Sequence, residues 1–548
     1  MPAHRALSCA DILYTVLEHF QSSEVSWYDY DPATNDAAAW YVRDSDASNK
    51  STLARCARVS RAFFYPAVAL LWRDVDDLSG LFTLLGAVSL SSEQPHGSLM
   101  RLPAKQIQQL AYLPQQAARA LCYARHVRVV GGSLKSADSA TRVPSWIKPQ
   151  TLLPQLNRLR WVQRASDSTD LMRIMSPSLH SLHVVFKKPL SNYDDLTHDA
   201  SKSLDEASVR ELAQQIAVKA SNLRYLRITT SGEVKESWFE SVGDLRELET
   251  FDIFEPIYGP VTTHPLLQPL ASLPNLQHLK LRLPAAAVPL FESNAFPSLR
   301  TLTLDAMFAP LSSVPAFLSA ISSHALATLA LLNCECATTS VHAKLHEVTD
   351  IIRSKFSSSL RDFTLSLRGI GPEQEQPQPL LQTIEPLLQV RGLVDVRLTI
   401  APEVAILAAS QDDLKTMCEA WPNATRLHLS YFPSSAPTPV SDLAAVSRHC
   451  PNLTELILPG IDGSAPDTDS LPSSKDALAL RGLRSLKLSD SGWSSRIPDP
   501  RRLAKCLDAL FPAVDWHSPP LISAAWSEAV QELVQLRITR LCGGPCAW

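Results

Sequence analysis

The chain has 548 residues, 45% of them hydrophobic and 19% charged, with 51 Lys+Arg against 55 Asp+Glu. That length exceeds what one hydrophobic core organises, so several domains or a repeat array are implied, and the balanced charge supplies no basic surplus for nucleic-acid backbones. Apolar runs such as Ala67 to Trp72 fall far short of the roughly 20 residues that cross a bilayer, so no membrane span is expected, and ten cysteines at irregular positions make no disulfide framework.

Reading from the N-terminus, Leu7, Ile12, Leu13, Val16, Leu17 and Phe20 carry a first amphipathic helix. Asp11 and Glu18 fall inside its apolar stretch, which argues against a signal-peptide core and for a cytoplasmic or nuclear protein. The N-x-S/T triplets at Asn49, Asn423 and Asn452 are accordingly not read as glycan sites. An acidic, polar insertion from Gln21 to Lys50 separates this helix from a second one over Ser51 to Phe64, with a turn expected near Pro66. The run Ala69-Leu70-Leu71-Trp72-Arg73-Asp74-Val75 follows, and Asp74, Asp76 and Asp77 read as a solvated acidic turn.

The order Leu53-x-x-Cys56-Ala57-x-Val59-Ser60-Arg61-x-Phe63, then Pro66-Ala67 and Leu70-Leu71-Trp72-Arg73, resembles the F-box of proteins abundant in mushroom-forming fungi. The family's usual Leu-Pro opening reads Ser8-Cys9 here. The resemblance implies a partner, a Skp-type adaptor that connects the chain to a cullin. It also implies that Ile12, Leu13, Val16, Leu17, Leu53, Cys56, Val59, Phe63, Leu71 and Trp72 face the adaptor or support the positions that do. The same apolar positions would equally serve a helical cap buried against the first repeat.

Downstream the pattern apolar-x-x-apolar-x-apolar recurs. It appears at Leu156-Leu159-Trp161, Leu179-Leu182-Val184, Leu223-Leu226-Ile228, Leu248-Phe251-Ile253, Leu276-Leu279-Leu281 and Leu299-Leu302-Leu304. It continues at Leu326-Leu329-Leu331, Leu360-Phe363-Leu365, Leu393-Val396-Leu398, Ala424-Leu427-Leu429, Leu453-Leu456-Leu458 and Leu483-Leu486-Leu488. A thirteenth copy is read at Ala124-Val127-Val129. Spacings are mostly 23 to 34 residues, with one gap of 44 after Leu179, the range of leucine-rich repeats. Phrases such as Pro177-Ser178-Leu179 and Pro297-Ser298-Leu299 lead into the strands, and Val209 to Ala220, Val341 to Phe356, Val404 to Trp421 and Val440 to Cys450 have helical periodicity. The Asn or Cys that normally follows the strand is matched only by Cys334.

The fold class expected is therefore α/β, a leucine-rich-repeat solenoid with a curved parallel sheet and outer helices, preceded by a small all-helical module. Its divisions are 1–80 for the F-box-like module with the 21–50 insertion, 81–120 for a helical linker, 121–500 for the repeats and 501–548 for a helical cap. The cap is read from Arg501 to Phe511 and Ile522 to Leu541, and the polar stretches 371–379 and 462–476 are read as surface loops.

Residues flanking each middle leucine are expected on the concave face, where Arg158, Arg160, His183, Tyr225, Arg227, His278 and Lys280 form a mostly basic column. Such a column suits an acidic or phosphorylated segment of a protein substrate, or is simply a solvated charged face. No phosphate loop, dinucleotide fingerprint, nucleophile elbow or zinc-protease helix is present in the sequence. The close cysteine pairs Cys334/Cys336 and Cys542/Cys546 lack structural-zinc spacing. No catalytic residue, metal or cofactor is expected. The readings that remain are a substrate receptor of a ubiquitin ligase and a repeat scaffold without ligase association.

Overall fold

The computed structural model describes residues 9–20, 45–76, 78–84, 113–131, 152–163, 168–186, 206–230, 240–254, 267–283, 294–307, 309–335, 341–368, 378–401, 407–408, 413–431, 438–462, 482–488, 497, 499–511, 514 and 524–541. The insertion up to residue 44, most of the 81–120 linker, nearly all of both polar stretches, Asp77, Cys336, Pro519, Pro520, Cys542 and Cys546 lie outside these residues. Two compact units form, Met1–Gly232 with Ser237–Leu248, and Glu233–Glu236 with Glu249–Trp548.

The first unit opens with three helices, α1 (Ala10–Glu18), α2 (Ser45–Cys56) and α3 (Arg61–Leu71). The single helix expected over Ser51 to Phe64 is split at Ser60, whose hydroxyl accepts from the Phe63 amide at 3.5 Å and so starts a new helix. Pro66 lies inside α3, not in a turn. It deprives the Ala62 carbonyl of its usual donor, yet Pro66, Ala67, Val68 and Leu70 are all buried, and that burial carries the helix through. Lys50, expected in the insertion, belongs to α2.

Strands β1 (Asp74–Val75), β2 (Val129–Val130), β3 (Arg158–Gln163), β4 (Ser181–Phe186) and β5 (Tyr225–Thr230) then pair in parallel, each with the next. Asp74 is thus the first strand residue and not part of a solvated turn. Asp76 is held by Lys50 at 2.7 Å. Helices α4 (Ser79–Leu84), α5 (Leu113–Ala124), α6 (Ser168–Ile174) and α7 (Glu206–Lys219) lie between the strands, and a 3-10 turn follows at Glu240–Asp244.

The second unit holds β6 (Thr250–Phe254), β7 (His278–Arg282), β8 (Thr301–Asp305), β9 (Thr328–Glu335), β10 (Asp362–Arg368), β11 (Asp395–Ile400), β12 (Arg426–Ser430), β13 (Glu455–Leu458) and β14 (Ser485–Leu488), again all parallel. Between and beyond them run α8 (Leu267–Ala271), α9 (Ser313–Ala320), α10 (Val341–Phe356), α11 (Leu380–Thr383), α12 (Glu385–Leu388), α13 (Asp413–Ala420), α14 (Val440–His449), α15 (Pro500–Leu510) and α16 (Ala524–Leu541). The helix expected over Val404 to Trp421 is shorter, because Leu407–Ala408 instead pairs with Gln378–Pro379 as a two-residue bridge.

One residue per strand fixes the register. Val75, Val130, Leu159, Leu182 and Leu226 stand side by side in the first unit. Phe251, Leu279, Leu302, Leu329, Phe363, Val396, Leu427, Leu456 and Leu486 do so in the second. All but Val75 are buried, each contributing roughly 1.5–3 kcal/mol that a lone repeat could not obtain. Within each unit the carbonyl just before a strand accepts from two successive amides of the next. Asn157 O takes the His180 and Ser181 amides at 2.9 and 3.0 Å, and Arg300 O takes those of Ala327 and Thr328 at 2.8 and 3.0 Å.

The chain is a leucine-rich-repeat solenoid. The twelve regular copies are β3 to β14. The thirteenth is shifted by three residues from the expected alignment, since Val130, and not Val127, stands beside Leu159. The same forked carbonyl recurs one step earlier, with Arg73 O accepting from Arg128 and Val129, so the residues after α3 already belong to the ladder. Several lead-in serines tie neighbouring repeats together: Ser178 Oγ donates to Leu156 O at 3.0 Å, Ser323 Oγ to Leu299 O at 2.7 Å and Ser359 Oγ to Leu326 O at 2.8 Å.

At the C-terminal end, α15 and α16 pack together around Asp508. This buried carboxylate receives Arg537 Nε at 2.9 Å and Arg540 Nη2 at 2.6 Å. Arg537 also donates to the carbonyls of Val514 and Phe511, so the charge and the loose carbonyls at the end of α15 are met together.

Candidate functional site

The first candidate surface is on the three N-terminal helices. Leu17, Leu53, Ala67 and Leu70 form their core, with Tyr14, Cys56, Ala57, Phe63 and Leu71 packed against it. Leu13 is also buried. Ile12 and Val16, one turn apart on the face of α1 adjoining Leu13 and Leu17, are 46% and 52% exposed, and Val59, in the turn between α2 and α3, is 68% exposed. Phe20 and Tyr65 are likewise exposed large apolar residues. Tyr65 was not singled out in the sequence because it sits between Phe64 and Pro66 in a run that reads as uniformly apolar.

The ten positions named from the sequence therefore divide. Three project outward; Leu13, Leu17, Leu53, Cys56, Phe63 and Leu71 hold the helices together; Trp72 stacks on Tyr123 of α5. Arg73 reaches back to Glu18 at the end of α1, 3.1 Å away. The helices are thus fastened to the strand ladder both through the chain and through side chains.

The second candidate surface is the strand face. In the first unit Arg160, His183 and Arg227 are register partners on β3, β4 and β5. Arg158, Ser181 and Tyr225 form the neighbouring row. Three of these side chains are withdrawn from solvent, His183 and Arg227 being only 3% and 4% exposed and Tyr225 buried as well, while Arg158, Arg160 and Ser181 are half-buried. Burial, then Arg227, then Arg160 push the His183 imidazole well below the usual histidine range, and its Nε2 lies 2.9 Å from Thr229 Oγ1. Burial and the nearby Arg227 bring Arg160 down to about 10.

In the second unit His278 is exposed and Lys280 half-buried. There, charges on the strand face have counter-charges beside them. Asp395 accepts from Arg397 and Arg426 at 3.2 and 2.5 Å, and Glu455 from Lys487 at 3.4 Å. At the strand ends Asp305 takes Arg282 at 3.4 Å and Asn333 Nδ2 at 3.1 Å, while Asn333 Oδ1 accepts from Arg368 at 3.3 Å. Asn333 holds φ at 52°, where an extra residue bulges β9 against β10. Nothing in the sequence signals this network, because it takes the bulge to bring Asn333 between Asp305 and Arg368.

Among the described residues no helix is long and apolar enough to cross a membrane, and no group of three or more His, Cys, Asp or Glu is placed to hold a metal ion.

No known family's sequence profile matches the chain, and no curated protein matches it in sequence. Solved structures do. The chain is similar to an internalin from Listeria monocytogenes, with 12% identity, 63% of this chain and 82% of that one covered, and a TM-score of 0.30. It is similar to TLR13 in complex with ssRNA13, with 13% identity, coverage of 71% and 54%, and a TM-score of 0.34. It is also similar to the yeast Rad7 and Elc1 complex, with 14% identity, coverage of 76% and 92%, and a TM-score of 0.35. What makes this chain a leucine-rich-repeat protein is its own column of register-matched apolar residues and forked carbonyls.

Proposed function

We propose that the chain is the substrate-recognition subunit of a Skp-cullin-F-box type ubiquitin ligase. In this reading residues 1–80 dock on the adaptor, residues 121–500 hold a target protein on the strand face, and residues 501–548 close the array. The observation that carries it is the outward display of Ile12, Val16 and Val59 on a three-helix segment with its own apolar core. Exposed aliphatic residues on a helix face mark a surface made to be covered. The F-box-like order of residues 53–73 names what would cover it.

The division of labour follows from burial. Ile12, Val16 and Val59 touch the adaptor. Leu13, Leu17, Leu53, Cys56, Phe63, Leu71 and Trp72 hold those three in place. The chain contributes position and no bond-making group, raising the effective concentration of target at the ubiquitin-loaded enzyme. It acts in the cytoplasm or nucleus, where its thiols stay reduced.

For the target, the half-buried Arg158 and Arg160 of the first unit favour an acidic or phosphorylated segment, while His183, Tyr225 and Arg227 lie buried in the same rows; in the second unit the exposed His278 and half-buried Lys280 offer basic groups of their own. Guanidinium groups on rigid strands bind such oxygens with little loss of side-chain freedom. Binding of phosphorylated against unphosphorylated peptide pools to the whole chain tests this part, and equal binding of both contradicts it.

The adaptor part is tested by co-expressing the full chain with a Skp-type adaptor. A stable complex at a one-to-one ratio supports it. A second reading, a repeat scaffold without ligase association, draws on the fastening of the same helices to the ladder through Trp72 and Arg73, and it stands if the folded chain binds no adaptor.

A further inference from the structure

The corner between α2 and α3 turns some residues inward and others outward. Cys56, Ala57 and Phe63 pack against the core of the three N-terminal helices. Arg55, Arg58, Val59, Ser60 and Arg61 are all exposed. The backbone itself holds the corner, the Arg58 amide donating to Arg55 O and the Val59 amide to Cys56 O, both at 3.0 Å. Val59 is thus presented, 68% exposed, within seven residues that carry three arginines.

Elsewhere in these helices cations meet carboxylates. Lys50 lies 2.7 Å from Asp76, and Arg73 lies 3.1 Å from Glu18. Among the described residues no carboxylate pairs with Arg55, Arg58 or Arg61. Helix α3 adds to the imbalance, because it opens on Arg61 and has no acidic residue in its first turn. A cation there faces the positive end of the helix macrodipole, where an anion is favoured. The folded chain therefore gathers positive charge at this corner without compensating it, and does so round an exposed aliphatic residue of the docking face.

We infer that Arg55, Arg58 and Arg61 form a cationic rim round Val59, and that the partner docked there faces them with carboxylates. On the reading that these helices dock on an adaptor, on which this rests, the adaptor surface is acidic where the corner lands and apolar where Val59 enters.

The rim acts on the encounter more than on the finished complex. Exposed guanidinium groups are well hydrated, and each rim pair holds little once formed. Complementary potentials nevertheless raise association rates by about 10- to 1,000-fold, and substitution of rim charges changes chiefly that rate and its salt dependence. Ile12, Val16 and Val59, which lose apolar area to the partner, set the dissociation rate instead. Arginines that merely kept the corner in water would leave the association rate unchanged.

The test measures association and dissociation rates between the full-length chain and a purified Skp-type adaptor by stopped flow. It is run at low ionic strength, where the Debye length is about 30 Å, and at about 1 M salt, where it is about 3 Å. The intact chain is compared with the triple variants Arg55→Gln, Arg58→Gln, Arg61→Gln and Arg55→Lys, Arg58→Lys, Arg61→Lys, each shown to be folded by circular dichroism and its denaturation midpoint. The glutamine variant should associate about tenfold more slowly at low salt and equally fast at high salt, with dissociation changed by less than about threefold. The lysine variant should keep the intact chain's rates. In the lysine variant a carbodiimide should also join the substituted amines to adaptor carboxylates as amides, found by peptide mapping at positions 55, 58 or 61. Equal association rates for the intact chain and the glutamine variant at low salt overturn the inference while leaving adaptor docking in place. So does a lysine variant that binds adaptor and forms no such amide. An intact chain that binds no adaptor at either salt concentration overturns both.

Discussion

Trp72 stacks on Tyr123 with ring centroids 5.2 Å apart and planes inclined by 9°. Trp72 follows the last residue of α3 and Tyr123 lies in the last turn of α5, so one aromatic contact fastens the N-terminal helices to the segment that leads into β2. Trp72→Ala should cost about 2 kcal/mol, since a half-buried indole loses both its area burial and its stacking. Chemical denaturation checks this. A loss of only a few tenths would mean that the stack does not tie the two parts together.

The C-terminal cap hinges on one carboxylate. Asp508→Ala leaves two guanidinium groups without their acceptor, but the exposed Arg540 can return to water, so the loss should be about 2–3 kcal/mol, less than for a fully enclosed pair. Arg540→Ala alone should cost under about 1 kcal/mol. Equal effects from the two substitutions would contradict the picture of Arg537 as the inner partner.

At Asn333 the backbone sits at φ 52° and the side chain bridges Asp305 and Arg368. Asn333→Gly keeps the conformation and loses the bridge, at about 1 kcal/mol. Asn333→Val loses both and should cost about 2–3 kcal/mol. A valine no worse than glycine would show that the bulge relaxes freely.

These two sites mark where the sequence stopped being legible. Repeats such as Leu276-Leu279-Leu281 were readable because a strand buried on one face alternates, and the twelve regular copies all became strands. The copy near Val127 was misaligned because Ala124, at the end of α5, and Val127 are both fully buried, so helix end and strand start present the same apolar signal three residues apart. Pro66 misled for a related reason: local preference says turn, and burial of its neighbours says helix. Asp508 had no signal at all, since its partners lie 29 and 32 residues away on another helix. The strand-face column was found in sequence, but the burial of His183 and Arg227 was not.

That burial has a pH signature. The His183 imidazole titrates well below its unfolded value because of desolvation and the two arginines. Above about pH 6.5 it is neutral in both states and contributes no difference. As pH falls below that value the unfolded chain binds a proton that the native chain refuses, so stability is lost on acidification, by up to about 1.4 kcal/mol per pH unit for one proton. His183→Gln should flatten the slope of stability between about pH 6.5 and 5 by up to one proton. An unchanged slope would place the acid sensitivity elsewhere.

The most direct test of the ligase-receptor account is calorimetric titration of a purified Skp-type adaptor into the intact chain and into the triple variant Ile12→Asp, Val16→Asp, Val59→Asp. Because all three side chains are exposed, the variant should keep the wild-type denaturation midpoint within about 1 kcal/mol. The account predicts tight binding by the intact chain and at least a hundredfold loss in the folded variant. Binding that survives the three substitutions, or an intact chain that binds no adaptor, would contradict it.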